Sequence, residues 1–440
     1  MDPNLLSLQR LVHKIGMWGV SFVYFFFIFR IGKQLPIPKD IDVALYMAFV
    51  ALNIAALPFV IVRVVGKAWA AFGIIGFGAL LAATAYQSYL FGQPARLSAI
   101  MTSRELGALV PFVMLTLFRA PLSYWARTFF YCSVGVMGYQ FVVTLFVDPE
   151  IFAGTDVTGF NILKSETEYF RFNLFTSAYA MAYAIAHWAG ARRRLYFVLF
   201  FSVLFVYLFF INMQRGILLN FVAFALILGA LHLSWGRRAA TLGSLLATVV
   251  FIGLVPGLEF LLRAASAKLG PLFESLSFVN SGDFNLMLGL DGSFFARIME
   301  VEFARDLITR FPLLGVGSLN QGWLESREIY YFADDIGIVG FLSLYGLFGG
   351  ALRLAPLLIG LWGGGREGRA SFNADRNALW YFSVFLLLMF VWSLPYYQYP
   401  SLVTFPVAAL YYDRFFGVRS PAPQPPSPGR VSPVRLVRST

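Results

Sequence analysis

Apolar residues dominate the chain in long runs broken by short polar or charged stretches, and the lengths of those runs set the class. A helix that crosses a bilayer takes ~20 mostly apolar residues. Runs of that kind fall at 15–31, 41–62, 69–91, 105–118, 128–147, 172–190, 195–212, 216–235, 241–262, 336–362, 378–395 and 401–416. The pattern predicts an all-α polytopic membrane protein of about 12 transmembrane helices, with a large helical extracytoplasmic loop between helices 9 and 10. The expected organisation is residues 1–262 for helices 1 to 9, 263–335 for the loop, 336–416 for helices 10 to 12, and 417–440 for a tail. Arg10 and Lys14 precede the first run as they would in a signal sequence, but the run ends in FFFIFRIGK with no small-residue cleavage site. It reads as a retained first helix.

Composition agrees, since 59% of the 440 residues are hydrophobic and 13% charged, more apolar than a soluble core requires. Disordered, fibrous and disulfide-rich secreted classes are excluded. Cys132 is the sole cysteine, which leaves no intramolecular disulfide and no thiolate metal site. The net charge of +11 resolves by side. With the N-terminus inside, the inner segments hold 19 of the 34 basic and 4 of the 23 acidic residues, a net +15 against −4 elsewhere. This bias places both termini in the cytoplasm and makes the charge an orientation signal, with no nucleic-acid partner implied. The tail SPAPQPPSPGRVSPVRLVRST has little to bury and is expected to be disordered, with its basic residues near lipid headgroups.

Chemistry belongs on the outer face, where segments 148–171 and 263–335 supply enough chain to build a site. His13, His187 and His232 all fall near cytoplasmic helix ends, so an outer base would be a carboxylate or a tyrosine. Arg215, in the turn Asn212-Met213-Gln214-Arg215-Gly216, reads either as a snorkelling headgroup contact or as a fork for phosphate oxygens. An amphipathic helix is expected over 293–311, stopped by Pro312, Gly315 and Gly317. Its polar stripe is Glu302, Asp306 and Arg310; its apolar arc is Phe294, Ile298, Val301, Ala304, Leu307, Ile308 and Phe311, with Arg297 projecting from the middle. Arg297 either pairs with Glu300 or serves a ligand. Asp334 and Asp335, at the mouth of the tenth span, read as helix-capping acids or as a weak Mg²⁺ signal. Arg171, with Glu166 and Glu168, forms a further group, and Glu105, Glu259 and Arg353 lie in or near helices, where helix-to-helix pairing accounts for them.

Four segments in this order resemble the O-antigen polymerase and O-antigen ligase superfamily of bacterial polysaccharide assembly: FRFNLFTSAYAMAYAIA, NMQRGILLNFVAFALI, SFFARIMEVEFARDLITRFPLLGVGSLN and FADDIGIVGFLSLYGLFGG. They cover the C-terminal two-thirds of the chain; the first five helices match in hydropathy alone. The resemblance implies a metal-independent, cofactor-free inverting glycosyltransferase on the outer face of the bacterial inner membrane. Its donor and acceptor would be glycans on undecaprenyl pyrophosphate, with membrane lipids around it and a flippase and chain-length regulator of the same pathway as partners. Arg215 and Arg297 would neutralise the pyrophosphate leaving group, with Arg171 and Arg310 as further substrate contacts. Where ligases of the superfamily carry a His-Asn pair, this chain has Asp335-Ile336. The base then falls to Asp335 or its neighbour Asp334, and polymerisation is favoured over transfer to lipid A core. A transporter of lipid-linked sugar is the alternative of another class; it would show pseudo-repeats, which are not found in the sequence.

Overall fold

A computed structural model describes residues 3–64, 68–152, 158–159, 169–170, 172, 174–188, 194–207, 223–224, 227, 292–367, 374–390, 393 and 395–416. Among them the fold is helical apart from one antiparallel pairing of two residues a side, Thr158–Gly159 with Tyr169–Phe170. The helices are α1 Pro3–Ile28, α2 Lys39–Val64, α3 Ala68–Leu90, α4 Ala95–Ser103, α5 Val110–Phe118, α6 Leu122–Phe146 and α7 Phe175–Trp188. They continue as α8 Arg194–Val206, α9 Gly292–Arg310, α10 Gln321–Glu325, α11 Gly337–Glu367, α12 Ala374–Met389, α13 Pro395–Gln398 and α14 Pro400–Phe416.

Five described segments are long and apolar enough to cross a membrane: Lys39–Ile61, Gly73–Leu90, Ala95–Phe118, Leu122–Phe146 and Ala333–Ala355. They leave large apolar side chains such as Leu52, Phe59, Ile75 and Phe146 uncovered by protein. A helix satisfies its own backbone, and such apolar surface is stable only against lipid, so this is a helical membrane protein. The expected spans at 216–235 (apart from 223, 224 and 227) and 241–262, the loop segment 263–291 and the tail 417–440 lie outside the described residues.

The fourth span begins earlier than the apolar run at 105–118. It is built from α4, a 3-10 turn over Arg104–Leu109 and α5, with Pro111 near the start of α5. Arg96, Arg104 and Glu105 hide it in the sequence, and the structure meets the cost of burying Glu105 with an ion pair described below.

The larger core gathers α1, α6, α7, α12 and α14 around stacked and edge-on aromatic rings, including Phe25, Phe29, Phe129, Tyr179, Phe382 and Phe405. Such pairs contribute roughly 0.5–1.5 kcal/mol beyond the burial of their area. Helix α7 is buried from Phe175 to Ile185, and Ala178, Ala180, Ala182 and Ala184 let its neighbours approach closely. His187 near the end of α7 meets Asp375 at the start of α12 at 3.0 Å, so the two helix ends share one end of the bundle. A second core joins α9, the 311–320 segment, α10, the start of α11 and the 390–403 stretch through Leu307, Val316, Leu319, Phe341, Tyr345 and Tyr396. This second core positions the candidate site.

Candidate functional site

The turn Pro312-Leu313-Leu314-Gly315-Val316-Gly317 closes α9 and docks onto a break inside α11. Gly346 there has φ +64 and ψ −176, which interrupts the helix and frees backbone groups on either side. The turn takes them up: Val316 N–H donates to Ser343 O at 3.0 Å and Gly317 N–H to Leu344 O at 2.7 Å. Leu347 N–H donates to Pro312 O at 2.8 Å and Phe348 N–H to Leu313 O at 2.9 Å. A Cβ at Gly315 would strike the Leu344 carbonyl, and one at Gly346 the Leu313 carbonyl, so both glycines are required by close backbone approach as well as by positive φ. Two sequence signatures more than 20 residues apart thus form one joint.

That joint fixes the rotation of α9. The helix runs Gly292–Arg310, close to the expected 293–311, but its buried line is Glu300, Ala304 and Leu307 rather than the centre of the predicted apolar arc. Val301 is 39% exposed and Arg297 is exposed, whereas Glu300 is 6% exposed. The small Ala304 lets α9 sit against α11, and the glutamate one turn earlier is carried inward with it. Among the described residues the ion pairs are Arg30–Asp42, His187–Asp375, Arg310–Asp306 and Arg353–Glu105, so the Arg297–Glu300 contact is not made.

Glu300 instead faces the start of α11. Its Oε2 is enclosed and has no hydrogen-bond partner. Burial pushes its carboxyl up to about 7, reinforced by the charges of Asp335 and Asp334 and opposed by a backbone hydrogen bond from Phe332 and by the Arg297 charge. Asp334 accepts a hydrogen bond from Gln398 Nε2 of α13, and Asp335 is the exposed member of the group. Tyr331 is buried, hydrogen-bonded to Ser343, and held protonated by burial. Of the two expected types of outer base, this leaves the carboxylates at this position. Among the described residues no group of three His, Cys, Asp or Glu is arranged to hold a metal ion.

The sequence candidates therefore divide. Asp334, Asp335 and Arg297 are brought together, with Glu300 and Gln398 added. Glu300 was legible only as a partner for Arg297; the spacing of Glu300, Ala304, Leu307 and Phe311, on one helical line, was the signal for its burial. Arg310 lies on the exposed face, paired with Asp306 at 2.9 Å one turn away. Arg215 and Arg171 lie outside the described residues.

Beneath the turn lies a saturated polar network. Arg353 Nε donates to Glu105 Oε2 at 2.8 Å, with Nη2 in ion-pair contact 2.8 Å from the same oxygen; Nη2 donates to Thr84 Oγ1 at 2.7 Å and Nη1 to Gly349 O at 3.2 Å. Ser318 Oγ donates to Glu105 Oε1 at 2.7 Å, and the guanidinium stacks 3.9 Å from the Tyr345 ring centroid. Glu105 and Arg353 are 1% and 3% exposed. The network ties α3, the fourth span and α11 to the docked turn. This is the helix-to-helix pairing expected for Glu105 and Arg353, and it supports the acidic group without joining it.

No family model, no curated protein and no solved structure matches the chain.

Proposed function

We propose that the protein polymerises oligosaccharide repeat units carried on undecaprenyl pyrophosphate. In this reading the acidic group lies on the extracytoplasmic face of a bacterial inner membrane, about 12 helices cross it, and both termini are cytoplasmic. The observation that carries the proposal is the enclosed Glu300 carboxyl, whose Oε2 has no hydrogen-bond partner and which is tuned to about 7 beside Asp334 and Asp335, within reach of the Arg297 charge. A general base works best when its pKa lies near the operating pH, and this is the group so placed.

The chemistry has two demands. The bond between the donor sugar's anomeric carbon and the pyrophosphate oxygen breaks, and the electron pair leaves on the pyrophosphate. The acceptor hydroxyl oxygen attacks that carbon and loses its proton. Asp335, exposed, meets the acceptor hydroxyl; Glu300, buried behind it, is the carboxyl whose affinity for the proton is high enough to keep it. Arg297 and Arg215 stabilise the charge growing on the leaving group, as preorganised guanidinium groups do in a partly dry site. The joint between the 312–317 turn and Gly346 supports the reading further, because it unites two of the segments that resemble the superfamily.

The test is chain lengthening by the purified full chain supplied with a lipid-linked repeat unit. Arg215→Ala, Arg297→Ala and Asp335→Asn are each expected to abolish polymer while leaving the protein in the membrane. Wild-type polymer length in both arginine variants would remove them from the mechanism, and full turnover by Asp335→Asn would remove Asp335 from the path of the proton to Glu300.

A further inference from the structure

A cationic group lies near the chain that follows Gln398, the residue that holds Asp334. Arg30, between α1 and α2, adopts φ +52, the left-handed conformation that often ends a helix. Its Nη2 lies 2.5 Å from Asp42 Oδ2, and its guanidinium stacks 4.0 Å from the Tyr46 ring centroid. Tyr46 Oη bonds Ser401 Oγ at 3.1 Å, and a Cβ at Gly107 would strike that same hydroxyl, so the 3-10 turn of the fourth span is cut to fit it. Arg104 opens that turn, three residues before Gly107. Lys33 stands 5.2 Å over the ring of Tyr399, directly after α13.

Both guanidinium groups carry a buried nitrogen with no acceptor. Arg30 is 6% exposed, yet its Nε has no partner, and Arg104 Nε is likewise buried and partnerless. Asp42 pairs with Arg30, and among the described residues no ion pair is made by Arg104. Glu105 does not neutralise its neighbour Arg104, because its two oxygens are engaged by Arg353 and Ser318. An enclosed excess of positive charge is costly unless an anion completes it. Ile41 and Leu45, beside Asp42 and Tyr46 on α2, are 51% and 46% exposed on a membrane-spanning segment, so lipid lies against this side of α2.

We infer that Arg30 and Arg104 form a binding site for the phosphate of a membrane lipid headgroup, entered from the bilayer past Ile41 and Leu45, with Lys33 at its rim. Planar guanidinium forks match phosphate oxygens, and the acyl chains stay against the exposed apolar side chains. The site does not depend on glycosyl transfer, because any lipid with an accessible phosphate satisfies it.

The experiment titrates the detergent-solubilised full chain with phosphatidic acid, with diacylglycerol of the same acyl chains, and with inorganic phosphate, counting bound lipid by native mass spectrometry. One phosphatidic acid is expected to bind and diacylglycerol is not. Arg104→Gln breaks no ion pair among the described residues and is expected to weaken binding about tenfold or more, the worth of a charge-assisted hydrogen bond. Arg30→Lys keeps a charge for Asp42, loses the fork, and is expected to weaken binding too. Equal binding by wild type and an Arg104→Gln protein with an unchanged melting curve would overturn the site, as would equal retention of diacylglycerol. Full displacement by inorganic phosphate at the lipid's own concentration would overturn its assignment to a lipid. Loss of binding in Arg104→Gln with chain lengthening retained would separate this site from the reaction proposed above.

Discussion

Replacing Glu300 with Gln removes a titrating group from a buried position without changing its shape, and the structure sets both the sign and the size of the effect. The carboxyl moves from 4.5 to about 7 in the folded chain, because burial and the neighbouring aspartates disfavour its charge. A folded state that holds a proton more tightly than the unfolded state gains stability from that proton below the unfolded value. The gain is lost as the pH rises through the folded value. The wild type should therefore lose roughly 3 kcal/mol between pH 4.5 and a pH above 7, taking 1.36 kcal/mol for each pH unit of the rise. Glu300→Gln has no such loss. Reversible unfolding in mixed detergent micelles, followed across this range, should show the variant gaining on the wild type by about that amount. Any constant offset from the substitution itself leaves this slope untouched. Asp335→Asn removes the second-largest cause and should bring the midpoint of the wild-type loss to lower pH. A stability difference that stays flat across the range would refute the buried, acid-coupled placement of Glu300.

Breaking the Arg353–Glu105 pair by Glu105→Ala strands a guanidinium in the span and should cost about 3–5 kcal/mol, read as a lower melting temperature. The double variant Glu105→Gln with Arg353→Met should recover part of that loss. Gly346→Ala forces a side chain onto the Leu313 carbonyl at φ +64, so the 312–317 turn should undock and become open to limited proteolysis; an uncut turn would contradict the joint. Arg310→Gln severs a surface pair and should change stability by less than about 1 kcal/mol, read as a near-unchanged melting temperature.

Periodicity and run length were enough to read a helical membrane protein, since the physics of a span is a sum over many residues and tolerates errors in any one. They failed where single charges decide the boundary. Arg104 and Glu105 pushed the fourth span's start ten residues too late, because the partner that makes Glu105 tolerable stands at Arg353, far along the chain. The helix Gly292–Arg310 was visible with its stop signal, but its rotation was not. Which of two overlapping apolar lines faces inward depends on what it meets, and only the backbone bonds between the turn and the Gly346 break settle that Ala304 and Leu307 are covered while Val301 is not. Glu300 moved with the rotation from bystander to the centre of the candidate site. The clustering of Arg30 with Arg104 had no sequence signal, since 74 positions separate them and a tyrosine from a third helix joins them.

The central claim is tested most directly by the pH profile of chain lengthening with purified protein and a lipid-linked repeat unit. The account predicts a polymer ladder whose rate rises with pH through an acid limb near 7, the value of Glu300, and which is lost in Glu300→Gln. A ladder of wild-type length and rate from Glu300→Gln, or no ladder from wild-type protein that demonstrably binds the lipid-linked unit, would contradict it.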